Sequence, residues 1–248
     1  RPLAERLQAL RDPERRARII AEPMDPDPAL VLGRMVRDFD HIFLLGDPPN
    51  YEQPWDLSIA GRAQAQGVSP EALAYDLMVE GERGTVLYLA MANYADGSLD
   101  AVGEILRHPD VLPGLGDGGA HAATICDGSY STFALSYWGR DRDHGRMALP
   151  DLVHRLSRAT ALTMGLEDRG LLAPGYKADI NVIDFDRLAL HVPEITYDLP
   201  GGGRRLVQRA EGYEATLVSG VPVYRNGEAT GALPGKLVRG QRPAPVQR

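Results

Sequence analysis

The 248-residue chain reads as an α/β protein that becomes β-rich toward its C-terminus. Two observations predict this. Short continuous apolar runs of strand length, His41 to Gly46 and Val86 to Ala92, alternate with helix-like stretches of roughly ten residues, the pattern of βα units. After Gly165 the texture changes to short β-type segments separated by Gly and Pro. With 44% apolar and 25% charged residues, the chain can bury a sizeable core.

Residues 1 to 23 read as two short helices, the second announced by Asp12-Pro13-Glu14, an Asp cap followed by Pro in the first turn. His41 to Gly46 is a buried-type strand ended by the turn-rich Asp47-Pro48-Pro49-Asn50. Leu57 to Gln66 is helix-like and stops at Gly67, and Ser69-Pro70-Glu71 starts another helix running to about Glu80. Val86 to Ala92 is continuously apolar, as expected of a parallel strand covered on both faces. Leu99 to Arg107 supplies a helix, and Val111 to Leu115 a further short apolar run that reads as a buried strand. Helices follow at about Ser129 to Trp138 and Pro150 to Met164.

The later β-type segments are Ile180 to Ile183, Arg205 to Gln208, Ala215 to Val218 and Val221 to Tyr224. Ser219-Gly220 between the last two suggests a tight hairpin. Residues 1–168 and 169–248 are thus expected to form two domains, the second beginning near residue 170.

Composition narrows the function classes. The formal net charge of −7 argues against a nucleic-acid partner, because phosphate binding draws on a positive excess. Only the tail is locally basic, with Lys236, Arg239, Arg242 and Arg248, and with Pro234, Pro243 and Pro245 nearby it reads as a draped terminus. No apolar run approaches the ~20 residues that cross a bilayer, so no membrane partner is expected and the expected location is cytoplasmic. A single Cys126 excludes an internal disulfide and a thiolate cluster, leaving His, Asp or a modified Lys as metal ligands.

The stretch that carries chemistry is His108 to His121, at whose centre lies Gly116-Asp117-Gly118-Gly119. A strand ending in this sequence puts a carboxylate at its carboxyl end, and the glycines let backbone or substrate approach closely. In α/β barrels that rim is where active sites are built. Taken by itself, Asp117 could equally cap a turn. Asp127-Gly128-Ser129 and Thr132 could line the same pocket, though Asp127 or Ser129 better suits helix capping, and Trp138-Gly139-Arg140-Asp141-Arg142 reads as a solvated charge run or a carboxylate-binding group. Gly-x-Ser-x-Gly does not occur, and Cys126 has no cationic neighbour in sequence to make it a nucleophile.

Three separated strings, GLGDGGAHAATICDGSYSTFAL, DRGLLAPGYKADINVIDFD and DLPGGGRRLVQRAEGYEATLVSG, together resemble the C-terminal portion of the amidohydrolase superfamily, within it the N-acyl-D-amino-acid deacylase (D-aminoacylase-like) branch. The resemblance runs from roughly Leu3 to Gly240. It implies part of a (β/α)8 (TIM) barrel with a flanking β-sandwich, one or two zinc ions, and hydrolysis of linear amides. Asp117 matches the family's carboxylate beside the metal. In such chemistry a metal-bound water must lose a proton to attack the amide carbonyl, and the departing amine must gain one, so a single Asp can serve both steps. His121, four residues on, is expected either to orient the substrate with Gly118 and Gly119 or to make a structural hydrogen bond, and His108 is expected to be structural.

The family's His-x-His pair is missing, and the six histidines at 41, 108, 121, 144, 154 and 191 have none of the ligand spacings. Arg at position 1 in place of Met, together with too few strand candidates to close a barrel, predicts that the ligand-bearing N-terminal barrel half precedes this chain and that the chain alone is inactive. The expected partners are a small-molecule N-acyl amino acid or related amide and that missing half, with homo-oligomerisation left open. A cyclic-amide substrate, or a non-catalytic chain retaining part of a barrel, are the alternative readings.

Overall fold

The computed structural model describes residues 3–23, 35–81, 85–115 and 121–246. They fall into two compact units, Arg1–Val102 and Gly103–Arg248.

Helix starts in the first unit follow the caps. Helix α1 spans Leu3–Leu10 and α2 Pro13–Ala21, where Asp12 Oδ1 accepts from Arg15 N at 2.8 Å. Helix α3 (Ile59–Gln66) opens on Ser58, whose Oγ accepts from Gly61 N, and closes on Gly67 at φ 68°, a left-handed stop that suits glycine. Helix α4 (Pro70–Val79) is capped by Ser69 in the same way. The N-terminal helices are tied to α4 by the bidentate Arg16–Asp76 pair at 2.6 and 2.7 Å and by Tyr75 Oη, which donates to Leu10 O at 2.6 Å.

Strands β1 (Ile42–Leu44) and β2 (Leu87–Leu89) pair antiparallel, with Ile42 opposite Leu89, Phe43 opposite Tyr88 and Leu44 opposite Leu87. The parallel pairing expected from the apolar runs is therefore corrected. The runs do report two covered faces. Ile42, Leu87 and Leu89 pack on one side against Ile59, Ala63, Leu73, Ala74 and Leu77. On the other, Phe43 and Tyr88 meet Trp55, Tyr51 and Tyr94. Two-sided burial constrains side-chain type but not strand direction, and in this pair the long excursion through α3 and α4 returns the chain the opposite way. Tyr94 is buried, donates to Gln53 O at 2.5 Å, and has its phenol pushed up by burial.

Helix α5 covers Asp100–Arg107. The strand expected over Val111–Leu115 is not formed: residues 111–115 are irregular and half-buried to exposed. Pro113 lacks an N–H and Gly114 lacks a side chain, so the run has little to pair or pack with.

In the second unit, α6 (Tyr130–Phe133) runs on through a π-helical segment, Ala134–Asp141, and α7 (Leu149–His154) through another, Arg155–Ala159, into α8 (Thr160–Thr163). Trp138 and Leu188 are buried there. An antiparallel sheet orders its strands β10 (Glu228–Ala229), β9 (Val221–Arg225), β8 (Tyr213–Val218) and β3 (Ile180–Ile183). The hairpin expected at Ser219-Gly220 is present: Val218 faces Val221, and both loop residues have positive φ, 52° and 78°, the twist a two-residue turn between strands needs. Two smaller antiparallel pairs are β4 (Ala189–Leu190) with β7 (Ala210–Glu211), and β5 (Glu194–Leu199) with β6 (Gly203–Val207). The tail drapes back as expected: Arg242 N donates to Gly165 O at 2.8 Å and Arg242 O accepts from Glu167 N at 2.7 Å.

Candidate active site

Asp117, Gly118 and Gly119, the residues on which the sequence places the chemistry, lie outside the described residues, as do Gly116 and Ala120. What the structure describes is the segment that leads into them and the loop that leaves them. The lead-in is held by one arginine. Arg155 donates from Nη1 to the carbonyls of His108 (3.1 Å) and Val111 (3.2 Å) and from Nη2 to that of Arg107 (2.8 Å), satisfying acceptors at the end of α5. A cleft of about 510 Å³ beside it is lined by Arg107, Leu112, Arg146, Asp151, His154 and Arg155 among others. Arg107 also donates to Gly145 O, and Arg146 to Arg142 O, so these guanidiniums brace backbone.

The loop on the far side begins at His121, whose side chain is exposed and whose φ of 50° is left-handed. This bend aims its carbonyl back into the loop, where it accepts from Thr124 N at 2.8 Å, Ile125 N at 3.0 Å and Thr124 Oγ1 at 3.1 Å. A non-glycine residue held in that region is strained and needs such bonds to persist.

Three contacts then fasten the loop and α6 to the β-rich segment. Leu206 N, on β6, donates to Ala122 O at 2.7 Å. Ser129 Oγ donates to Gln208 Oε1. Thr132 Oγ1 and Tyr213 Oη lie 2.8 Å apart. These pairs are separated by roughly eighty residues, and nothing in the sequence pattern announces them. Ser129 was expected as a capping residue but makes no side-chain cap bond.

The other candidates resolve into structural roles. His108 Nδ1 accepts from Asp110 N at 3.2 Å, closing the turn after α5. Arg140 pairs with Asp141 at 2.6 and 2.9 Å and donates to the carbonyls of Phe185, Asp186 and Leu188, a clamp on that loop rather than a solvated charge. Arg142 is buried with its guanidinium 4.5 Å from the Trp138 ring centre, and donates to His144 O at 3.2 Å. Neither reading of that charge run, solvated or carboxylate-binding, therefore holds for these two arginines. Burial, and secondarily the charge of Asp127, pushes the Cys126 thiol up, away from a nucleophile's range.

Among the described residues no group of three or more His, Cys, Asp and Glu side chains is placed to hold a metal ion. The described donor set therefore does not fit a complete zinc centre.

Residues 63–224, well over half the chain, match the model of the Amidohydrolase family, and the chain belongs to that family. It is similar to the D-aminoacylase of Alcaligenes xylosoxydans xylosoxydans, at 27% identity over 164 residues, 66% of this chain and 31% of that protein. Among solved structures it is similar to a D-aminoacylase crystal structure, at 23% identity over 77% of this chain and 36% of that one, with a TM-score of 0.41. A D-aminoacylase mutant in complex with copper chloride matches at 23% identity and a TM-score of 0.40, with the same coverage. The chain spans about a third of the length of the relatives it matches. No helix among the described residues is long and apolar enough to cross a membrane.

Proposed function

We propose that this chain forms the C-terminal part of a hydrolase of linear amide bonds, acting on N-acyl-D-amino acids to release a carboxylate and a D-amino acid. The observation that carries this reading is the family match, which runs through Gly116-Asp117-Gly118-Gly119. Similarity to a D-aminoacylase supports the substrate class. In this reading residues 1–168 belong to a barrel and residues 169–248 to a β-rich subdomain.

Asp117 is the general acid and base: its carboxylate takes a proton from the attacking water and returns it to the departing amine nitrogen. Gly118 and Gly119 leave room for substrate beside it. His121 is the substrate-orienting residue of the same loop; its exposed imidazole and strained backbone support the assignment. Metal dependence, with zinc as the ion, belongs to the proposal too, and the ligands that the described residues lack come from outside this chain.

The test compares this chain with the full-length enzyme. Zinc content is measured, and amine release is followed from N-acetyl-D-leucine, its L-enantiomer and a hydantoin. The full-length enzyme is expected to hydrolyse the D-substrate, and this chain alone to hold no stoichiometric zinc and turn nothing over. Turnover of the hydantoin alone would replace the substrate class with a cyclic amide. Failure of the zinc-loaded enzyme on every C–N substrate would overturn the enzymatic reading, and tight stoichiometric zinc in this chain alone would overturn the source of the ligands.

A further inference from the structure

The cleft of about 510 Å³ in the second unit inverts the charge balance of the chain. Acidic side chains outnumber Lys and Arg over the whole sequence, 34 to 27. The cleft is lined instead by Arg107, Arg146, Arg155 and His154, with Asp151 as its single carboxylate. None of these side chains takes part in an ion pair among the described residues.

Backbone carbonyls hold the three guanidinium groups at the cleft. Arg155 donates to the carbonyls of Arg107, His108 and Val111, so its head group lies against the turn that carries Pro109 and Leu112, both part of the lining. Arg107 Nη2 donates to Gly145 O, next to Arg146 and Met147 of the lining. A Cβ at Gly103 would come within 2.9 Å of Arg107 Nη1, and one at Gly145 within 3.6 Å of its Nη2, so this head group is wedged between two glycines. Arg146 is pinned at Nε by Arg142 O at 2.6 Å, which leaves both of its terminal nitrogens without a partner among the described residues.

A carbonyl acceptor orients a guanidinium but leaves its charge uncompensated. Each guanidinium has five N–H donors. Arg107 and Arg146 use one apiece and Arg155 three, so donors remain on all of them. Like charges fixed around one space repel, and a bound anion relieves that repulsion while engaging the unused donors.

We infer that this cleft binds a doubly charged phosphate group, free or as a monoester. Three guanidiniums against one carboxylate leave two positive charges, the match for a phosphate dianion. A lone carboxylate ligand would offset only one of them. Leu112 and Met147 add apolar wall on which the organic part of an ester can lie. The assignment is independent of amide hydrolysis, which neither consumes nor releases phosphate.

The experiment titrates the full-length protein by calorimetry with inorganic phosphate, phenyl phosphate and acetate, at constant ionic strength and about pH 8, where a phosphate monoester is doubly charged. One saturable site per chain is expected for both phosphates, with acetate bound at least about tenfold more weakly. Equal affinity for the two phosphates would identify the free anion as the recognised group, and tighter binding of phenyl phosphate would identify an ester; either supports the site. Arg146→Gln should raise Kd for phosphate about tenfold, Arg146→Lys should recover part of the loss, and Asp151→Asn should lower Kd by removing a like charge. Arg225→Gln removes the same charge from the exposed end of β9, outside the cleft, and should leave Kd unchanged. Phosphate binding untouched by Arg146→Gln, an equal loss in Arg225→Gln, acetate bound as tightly as phosphate, or no saturable site would each overturn the inference.

Discussion

Replacing Tyr213 by Phe removes one oxygen and tests how the loop after Asp117 is fastened. Thr132 is 5% exposed and its Oγ1 lies 2.8 Å from Tyr213 Oη, linking α6 to β8. The variant keeps the ring and its packing but strands a buried threonine hydroxyl, which costs about 1–3 kcal/mol. Thr132→Val is the milder change, about 0.5–1.5 kcal/mol, because the phenol of half-buried Tyr213 can turn to water. In the double variant the stranded hydroxyl is gone, so its cost should fall short of the sum of the singles by about 1 kcal/mol. Denaturant unfolding of the four proteins measures this cycle, and in a chain of this size each kcal/mol also moves Tm by about 2–4 °C. A Tyr213→Phe protein as stable as wild type, or strictly additive singles, would refute the claim that this bond holds α6 to the sheet.

Other outcomes follow from the same geometry. Gly103→Ala places a Cβ 2.9 Å from Trp138 Cζ3 and 2.9 Å from Arg107 Nη1; overpacking of about 1–3 kcal/mol exceeds the ~1 kcal/mol of helix propensity gained, so Tm should fall. The Asp198 carboxyl is lowered from 3.8 to about 2, chiefly by its hydrogen bonds to Arg205. A depressed carboxylate contributes stability present above its unfolded value and lost as pH falls through the folded one, so the loss lies between about pH 4 and about pH 2. An NMR titration should find that midpoint and see it return toward the ordinary range in Arg205→Gln; an unmoved midpoint would exclude Arg205 as the cause. Cys126, with its thiol raised by burial, should be alkylated more slowly than free cysteine at pH 8, and faster modification would contradict its environment.

Much of the local structure was legible because its causes are local. Asp12, Ser69, Gly67 and Ser219-Gly220 act within a few residues of themselves, and each stands where its cap or turn requires. Apolar runs marked β1 and β2, but strand direction depends on the path between them. Val111 to Leu115 carried an apolar signal that Pro113 and Gly114 outweighed. Strand β5 was not anticipated because Glu194–Leu199 is almost wholly exposed and so leaves no one-sided apolar pattern. The fastening of the loop after Asp117 was invisible for a different reason: the Ala122 carbonyl and the Ser129 and Thr132 hydroxyls find partners about eighty residues away, and neither a backbone carbonyl nor a hydroxyl carries a mark of a distant partner.

The measurement that bears most directly on the central claim is the turnover of Asp117→Asn in the full-length enzyme with N-acetyl-D-leucine. Loss of a proton-transfer group predicts a fall in kcat of about 10²–10⁴-fold with Tm unchanged. A kcat equal to that of the wild type would remove Asp117 from the reaction and contradict the account.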